Sequence, residues 1–306
     1  QEKGIDAVTI STPDHTHAAA AVYAMERGVH VYVQKPLTHN IYEARLLTEM
    51  ARERKIVSQM GNQGASNPDQ LQIQKWISEG HVGAISKVEV WTNRPVWPQG
   101  GKMQAPNASA KPETPNWDQW LGPSAQTDYI PEMHPFNWRG WWNFGTGALG
   151  DMGCHLIDIP FKALGLKYPT DVECSVGSVY EKMWTANYFP EGCPPSSSVS
   201  LHFDATEKNK VPLQMTWSDG GIKPFHPDLL PDDVSIEPNG IIMIGEKGVI
   251  TCDAYGEDPK MYLKGESVIL GEKVKINEPE FGHQRQWVDA CKAGFNSPEH
   301  QSLTSS

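Results

Sequence analysis

Residues 6–36 read DAVTISTPDHTHAAAAVYAMERGVHVYVQKP, and this stretch decides the fold. Asp6 to Ile10 is a short β-type run that stops at Ser11-Thr12-Pro13-Asp14. The alanine-rich segment from His15 to Arg27 reads as a helix, because alanine loses no side-chain entropy there. Gly28 closes it at the C′ position, where a left-handed residue is wanted. Val29 to Val33 is a second β run, ended by Gln34-Lys35-Pro36. Further out, Ile41 to Lys55 is an amphipathic helix with Leu46, Leu47 and Met50 on its apolar side, and Ile56 to Met60 is a third strand. Strand–helix–strand–helix–strand with apolar strands specifies right-handed crossovers and a parallel sheet. Ligands on such sheets bind beyond the carboxyl ends of the strands. Those ends are Thr12-Pro13-Asp14, Gln34-Lys35-Pro36 and Asn62-Gln63, so the polar tips line one edge.

After residue 64 the pattern changes. Asn67 to Gly80 is another helix with Pro68 at a favoured early position, and Ile85 to Thr92 alternates as a strand. Residues 93–145 form a long irregular stretch rich in Pro and Trp, and so long a loop is expected to be functional. Ala148 to Leu164 is predicted as one helix. The β runs Val172–Tyr180, Val199–Phe203, Pro212–Trp217, Gly240–Gly245, Gly248–Cys252 and Met261–Lys264 follow without helices between them, which predicts a mainly antiparallel sheet. Phe281 to Ala293 reads as a last helix. The fold class is therefore α/β, a partial doubly wound parallel sheet over residues 1–63 followed by an α+β domain with an open, mainly antiparallel sheet over residues 64–306.

The 306 residues carry 26 Lys+Arg against 37 Asp+Glu, a net charge of −11. An acidic surface disfavours nucleic acid and anionic lipid as partners. The longest apolar run, Ala18 to Met25, is far short of the ~20 residues of a membrane span. Five cysteines form no CxxC pattern and read as buried thiols.

Three groups of residues carry chemistry. Lys35 ends an apolar strand on the ligand edge and is presented there by Pro36, which stops the strand. It either hydrogen-bonds a substrate hydroxyl or begins a solvated loop. Asp151 and His155, spaced i,i+4, share one face of a helix. The macrodipole favours a carboxylate at the start of that helix. His155 exchanges a proton near neutral pH, with the carboxylate expected to hold its tautomer and raise its pKa. The plainer reading is a helix-end carboxylate and a satisfied histidine. Asp158 lies i+7 from Asp151 with no second histidine near, so no metal is expected. In Thr12-Pro13-Asp14-His15-Thr16-His17, Thr12 and Asp14 either cap the next helix or meet a ligand. The tryptophans of residues 138–142 either fill the core or stack on the apolar face of a sugar ring.

Together, Thr12-Pro13-Asp14-x-x-His17, Lys35-Pro36, Trp138-Arg139 and Asp151-x-x-x-His155 resemble the Gfo/Idh/MocA family of NAD(P)-dependent oxidoreductases over essentially the whole chain. The resemblance implies a Rossmann-type domain followed by an α/β domain whose open sheet makes homo-oligomer contacts. It implies catalytic roles for Lys35, Asp151 and His155. It places Thr12, Pro13, His17, Gln34, Lys35 and Gln63 near the nicotinamide and its ribose, and Trp138, Arg139, Trp141 and Trp142 at the substrate. The cofactor implied is NAD or NADP, and the substrate a small carbohydrate-like molecule. Two departures stand out. Gln34 replaces the family's usual Glu and brings no negative charge beside the lysine; Gln-Lys-Pro-Leu-Thr is similar to a variant of sugar-processing bacterial members, many of which carry an export signal. No Gly-x-Gly-x-x-Gly occurs. The chain is thus expected to be a piece lacking the first strand–turn–helix and a C-terminal segment.

The expected reaction is hydride transfer between nicotinamide and a secondary alcohol of a sugar, cyclitol or glycoside. His155 is the expected base, Asp151 orients it or binds a neighbouring hydroxyl, and Lys35 stabilises the alkoxide. The competing readings are a glycoside hydrolase or lyase using NAD transiently, and a non-catalytic binding protein on a truncated nucleotide fold.

Overall fold

The computed structural model describes residues 4–114, 116–264, 266–268 and 282–304. Strands β1 (Ala7–Ile10), β2 (His30–Val33) and β3 (Ser58–Met60) form a parallel sheet in that order, with Ala7 opposite His30 and Val31 opposite Ser58. Helix α1 (His17–Met25), entered through a 3-10 turn at Asp14–Thr16, links the first two strands, and α2 (Ile41–Arg54) the next two. Asn40 starts α2 by accepting the Glu43 amide, while the Glu43 carboxylate accepts the amide of His39. Lys55 ends it in the left-handed conformation, φ 55°.

The alternation of β2 gives this sheet two buried faces. Val31 and Val33 pack with Ala21, Met25, Leu47 and Met50 on the α1/α2 side. Tyr32 points the other way, into a cluster with Val57, Trp287, Ala290 and Leu303. These last three come from α7 (Gly282–Ala293) and α8 (Pro298–Thr304), which return to cover the first sheet. The far end of the sequence thus packs on its beginning. Phe281, where the sequence starts its last helix, lies outside the described residues.

Helix α3 (Pro68–Ser78) leads into β4 (Ile85–Trp91). A second sheet places β4 beside β9 (Leu213–Ser218) and β10 (Gly240–Gly245), with β8 (Ser197–Phe203) and β5 (Asp171–Val176) outward on one side. On the other side stand β11 (Gly248–Cys252), β12 (Lys260–Leu263) and β13 (Glu266–Val268). Every pairing is antiparallel except β4 with β9, so the sheet is mixed. The strands β6 (Val179–Lys182) and β7 (Thr185–Asn187) make a separate hairpin. Ile73 and Trp76 of α3, with Met152, Leu156, Ile159 and Leu164, pack on Val88, Val90, Met215, Trp217 and Met243 to form the main core.

The structure changes two expectations here. The single helix expected at 148–164 is two, α5 (Gly147–Leu156) and α6 (Asp158–Leu164). Pro160 has no amide to give the Leu156 carbonyl, so the ladder is interrupted there. Residues 93–145 are not a bare loop. They include α4 (Trp117–Leu121) and fold around their own core of Trp117, Leu121, Tyr129, Met133, Trp138, Trp141 and Phe144. Trp117 and Trp120 stack at 4.8 Å and 8°. His15 ties this unit to the end of β1, its ring nitrogens meeting the carbonyls of Trp120 at 2.9 Å and Phe144 at 3.2 Å.

Candidate active site

The carboxyl edge of the first sheet faces α5 and the turn Asn137–Gly140 before it. Lys35 Nζ, arriving from the end of β2, donates to Asp151 Oδ1 at 2.7 Å and to the Asp151 carbonyl at 2.9 Å. An ammonium has three donors, so one remains for a ligand. Arg139 Nε stands 3.5 Å from the same carboxylate oxygen, and its guanidinium lies 4.3 Å over the rings of Phe136 and Trp138. Lys35, Asp151 and Arg139, separated widely in sequence, are thus one charged cluster.

His155 lies one turn along α5 but is not held by Asp151. Its Nδ1 meets Asn62 Oδ1 at 2.6 Å, and Asn62 Nδ2 donates to the Cys154 carbonyl at 2.7 Å. Because the amide nitrogen is committed to that carbonyl, the oxygen faces the ring. Nδ1 therefore carries the hydrogen and Nε2 the lone pair. Tyr255 packs edge-on at 5.2 Å. The expected rise in pKa is also overturned. Burial, assisted by the Lys35 charge and opposed by Asp151, pulls the imidazole down to about 4, so it is neutral at pH 7. A cavity of about 490 Å³ adjoins His155, lined also by Gln63, Asn67, Tyr255, Glu257 and His283.

The remaining predicted residues divide by exposure. Thr12 and Gln63 are exposed, and Pro13, Gln34 and Lys35 half-buried, along the strand ends. Gln34 lies across Gly61, where a Cβ would stand 2.6 Å from its Oε1, so a side chain at 61 would push the Gln34 amide aside. His17 is 1% exposed, and its ring bridges the Thr12 and Pro36 carbonyls at 2.7 and 2.8 Å. It therefore clamps the first two strand ends together and presents no surface to a ligand. Trp138 and Trp141 are core residues at 4% and 6% exposure, without a free face for stacking. Trp142 is exposed and borders a separate apolar cavity with Leu149, Val176 and Phe189. Neither Thr12 nor Asp14 caps a helix: the Thr12 hydroxyl pairs with that of Thr16, which itself donates to the Pro13 carbonyl, and Asp14 accepts the hydroxyl of Thr146. Asp158 pairs with Lys162, and no group of three metal-ligating side chains occurs among the described residues. Sequence reasoning missed Asn62 and Tyr255. The position of Asn62 at a strand tip was a signal for the first; nothing local distinguished the second.

A parallel sheet with helices on both faces, and a charged cluster assembled beyond its carboxyl edge, defines a nucleotide-binding type of α/β fold joined to a mixed-sheet domain. Comparison of sequences agrees. The profile described as oxidoreductase family, NAD-binding Rossmann fold, matches residues 1–62, and that of the family's C-terminal alpha/beta domain matches residues 68–178. The chain belongs to the Gfo/Idh/MocA oxidoreductase family. It is 28% identical to levoglucosan dehydrogenase of Pseudarthrobacter phenanthrenivorans, over 51% of this chain and 32% of that protein. It is 26% identical to scyllo-inositol 2-dehydrogenase (NADP(+)) IolW of Bacillus subtilis, over 61% of this chain and 42% of that one. The chain thus spans less than half the length of these curated relatives. A solved inositol dehydrogenase homolog complexed with NAD+ from Azotobacter vinelandii shares the fold, with TM-score 0.59 and 18% identity over 100% of this chain and 74% of that one.

Proposed function

We propose that the protein is an NAD(P)-dependent oxidoreductase acting on a secondary alcohol of a sugar, cyclitol or glycoside. The observation that carries this reading is the convergence of Lys35 on Asp151, 2.7 Å apart, one helical turn from an imidazole whose Nε2 is unprotonated. The residues at the strand tips fit a nicotinamide riboside. Thr12 presents a hydroxyl oxygen whose lone pairs are free to accept, Gln34 offers an uncharged amide over Gly61, and Lys35 adds a cation. Hydroxyls, an amide and an ammonium match ribose hydroxyls and a carboxamide. When bound, the nicotinamide supplies the acceptor for a hydride.

The chain's own groups account for the rest. Removing hydride from a CH–OH carbon requires the hydroxyl proton to leave, and His155 Nε2 is the lone pair available to take it. Asn62, holding the Nδ1 hydrogen, keeps that lone pair from switching nitrogen. The third Lys35 donor stabilises the alkoxide, a charge present only as the reaction proceeds. Asp151 holds Lys35 and Arg139 in register, and Arg139 reaches neighbouring hydroxyls. The rings of Phe136 and Trp138 form the wall behind Arg139.

Incubating the full-length protein with NAD+ or NADP+ and a panel of cyclitols, aldoses and methyl glycosides tests this. Accumulation of reduced cofactor, lost in Lys35→Ala, supports it. Glycoside cleavage without net reduction transfers the site to the transient-oxidation chemistry, and no cofactor binding at all returns it to a binding protein. We further propose a homo-oligomer through the second sheet. Its edge strand β5 and the β6–β7 hairpin expose the large apolar side chains Val172, Val176, Tyr180, Met183, Trp184 and Tyr188, the kind of surface a partner copy would cover.

A further inference from the structure

Asp14 is buried beside the charged cluster, where Arg139, Asp151 and Lys35 act on its carboxyl, but has no part in the scheme above. It is 5% exposed, and its Oδ2 accepts the Thr146 hydroxyl at 3.0 Å. Thr146 occupies the N-cap of α5, yet its side chain makes no capping bond. A threonine there ordinarily turns its oxygen to a first-turn amide. Here the hydroxyl instead joins the end of β1 to the start of the helix that carries Asp151 and His155.

The charged and titratable groups facing Asp14 come from several elements: Lys35 from the end of β2, Arg139 from the Asn137–Gly140 turn, Asp151 and Cys154 from α5, Cys193 from the segment ahead of β8, and His15 beside it. Lys35 and Arg139 bring two positive charges to this cluster and Asp151 one negative charge. The charge state of Asp14 therefore decides the balance. With a neutral carboxyl the cluster keeps one positive charge in excess, and with a carboxylate it keeps none.

We propose that Asp14 is the proton-holding positioning residue of this site, leaving Lys35 and Arg139 in charge excess when neutral and cancelling that excess when ionised. The proton is exchanged with solvent, and no bond to substrate is made or broken. A developing alkoxide is stabilised by the excess and loses that stabilisation when Asp14 ionises. The surroundings support a neutral carboxyl: burial is the largest influence and raises Asp14 to about 7, against the pull of Thr146, Arg139 and Lys35. The kinetic half of this inference rests on the oxidoreductase reading, whereas the protonation half does not.

The test compares full-length wild type with Asp14→Asn, which keeps the acceptor for Thr146 but cannot ionise. Infrared difference spectra between pH 6 and pH 8.5 are expected to show a protonated-carboxyl band in wild type that Asp14→Asn lacks. The ratio of alcohol-oxidation rates, variant over wild type, is expected to climb up to about thirtyfold over that interval, the ionised-to-neutral ratio 1.5 units above a midpoint near 7. Thr146→Val is a second variant: without the hydroxyl that favours the anion, both the band and the rate limb move to higher pH. Absence of the band, or a rate ratio flat within about twofold, overturns the proposal. Absence of turnover with every alcohol overturns the oxidoreductase reading, while the band still decides whether Asp14 carries the proton.

Discussion

Asn62 holds the ring of His155 with one end of its amide and the Cys154 carbonyl with the other. Two consequences are measurable. His155→Ala removes the proposed base and is expected to lower kcat by roughly 10²–10⁴, the usual range for that loss; a fall below about threefold would exclude the role. Asn62→Asp places a negative charge against the ring. It is expected to lift the imidazole pKa from about 4 by at least about one unit and carry the acid limb of kcat/KM upward with it. A limb that does not move shows that His155 is not the group being titrated. Lys35, Asp151 and His155 of the candidate site were legible in the sequence from spacing on one helix and position at one strand tip. The partner of His155 was not, because 93 residues of chain separate it from Asn62 and only folding joins them.

At the scale of elements, the first sheet depends on helices from the far end of the chain. Trp287 of α7 packs edge-on against Tyr32 at 5.6 Å and is 6% exposed. Trp287→Ala is expected to cost about 3–5 kcal/mol of unfolding free energy, readable as a lower denaturant midpoint. An unchanged midpoint would mean α7 contributes nothing to the stability of β2. The amphipathic pattern of residues 282–293 announced a helix, but a pattern states which face is apolar and not which sheet will cover it. The tryptophans of residues 93–145 illustrate the same limit. Their clustering marked the stretch as unusual, and only their packing around α4 shows that most of them build a core.

For the whole molecule, buried imidazoles set a pH limit. His155, and with it His15, His17 and His283, titrates below its ordinary value because burial penalises the charged ring. A depressed histidine adds stability that is complete above its unfolded pKa near 6.5 and is lost as pH falls through the folded value. For His155 alone, a shift to about 4 amounts to on the order of 3 kcal/mol. Asp14 acts in the opposite sense, its contribution being present in acid and lost as pH rises through about 7. Between pH 6.5 and pH 4 these contributions oppose each other, so the comparison with a variant isolates one of them: His155→Gln, lacking the depressed ring, is expected to lose less melting temperature, or gain more, than wild type as pH drops over that interval. The exposed hairpin gives a second expectation at this scale: Trp184→Glu is expected to lower the mass measured by light scattering, and a wild-type mass already that of one chain overturns the proposed oligomer.

The sequence by itself determined the strand–helix alternation, the parallel first sheet, the polar edge formed by its strand tips and the helix bearing Asp151 and His155. These follow from local periodicity and from stop signals such as Gly28 and Pro36, which act over a few residues. Tertiary structure alone decided that Lys35 pairs with Asp151, that Asn62 rather than a carboxylate selects the tautomer of His155, and that Asp14 is buried beside them. Those outcomes depend on distance and dielectric, and both exist only once segments more than 90 residues apart have been packed together.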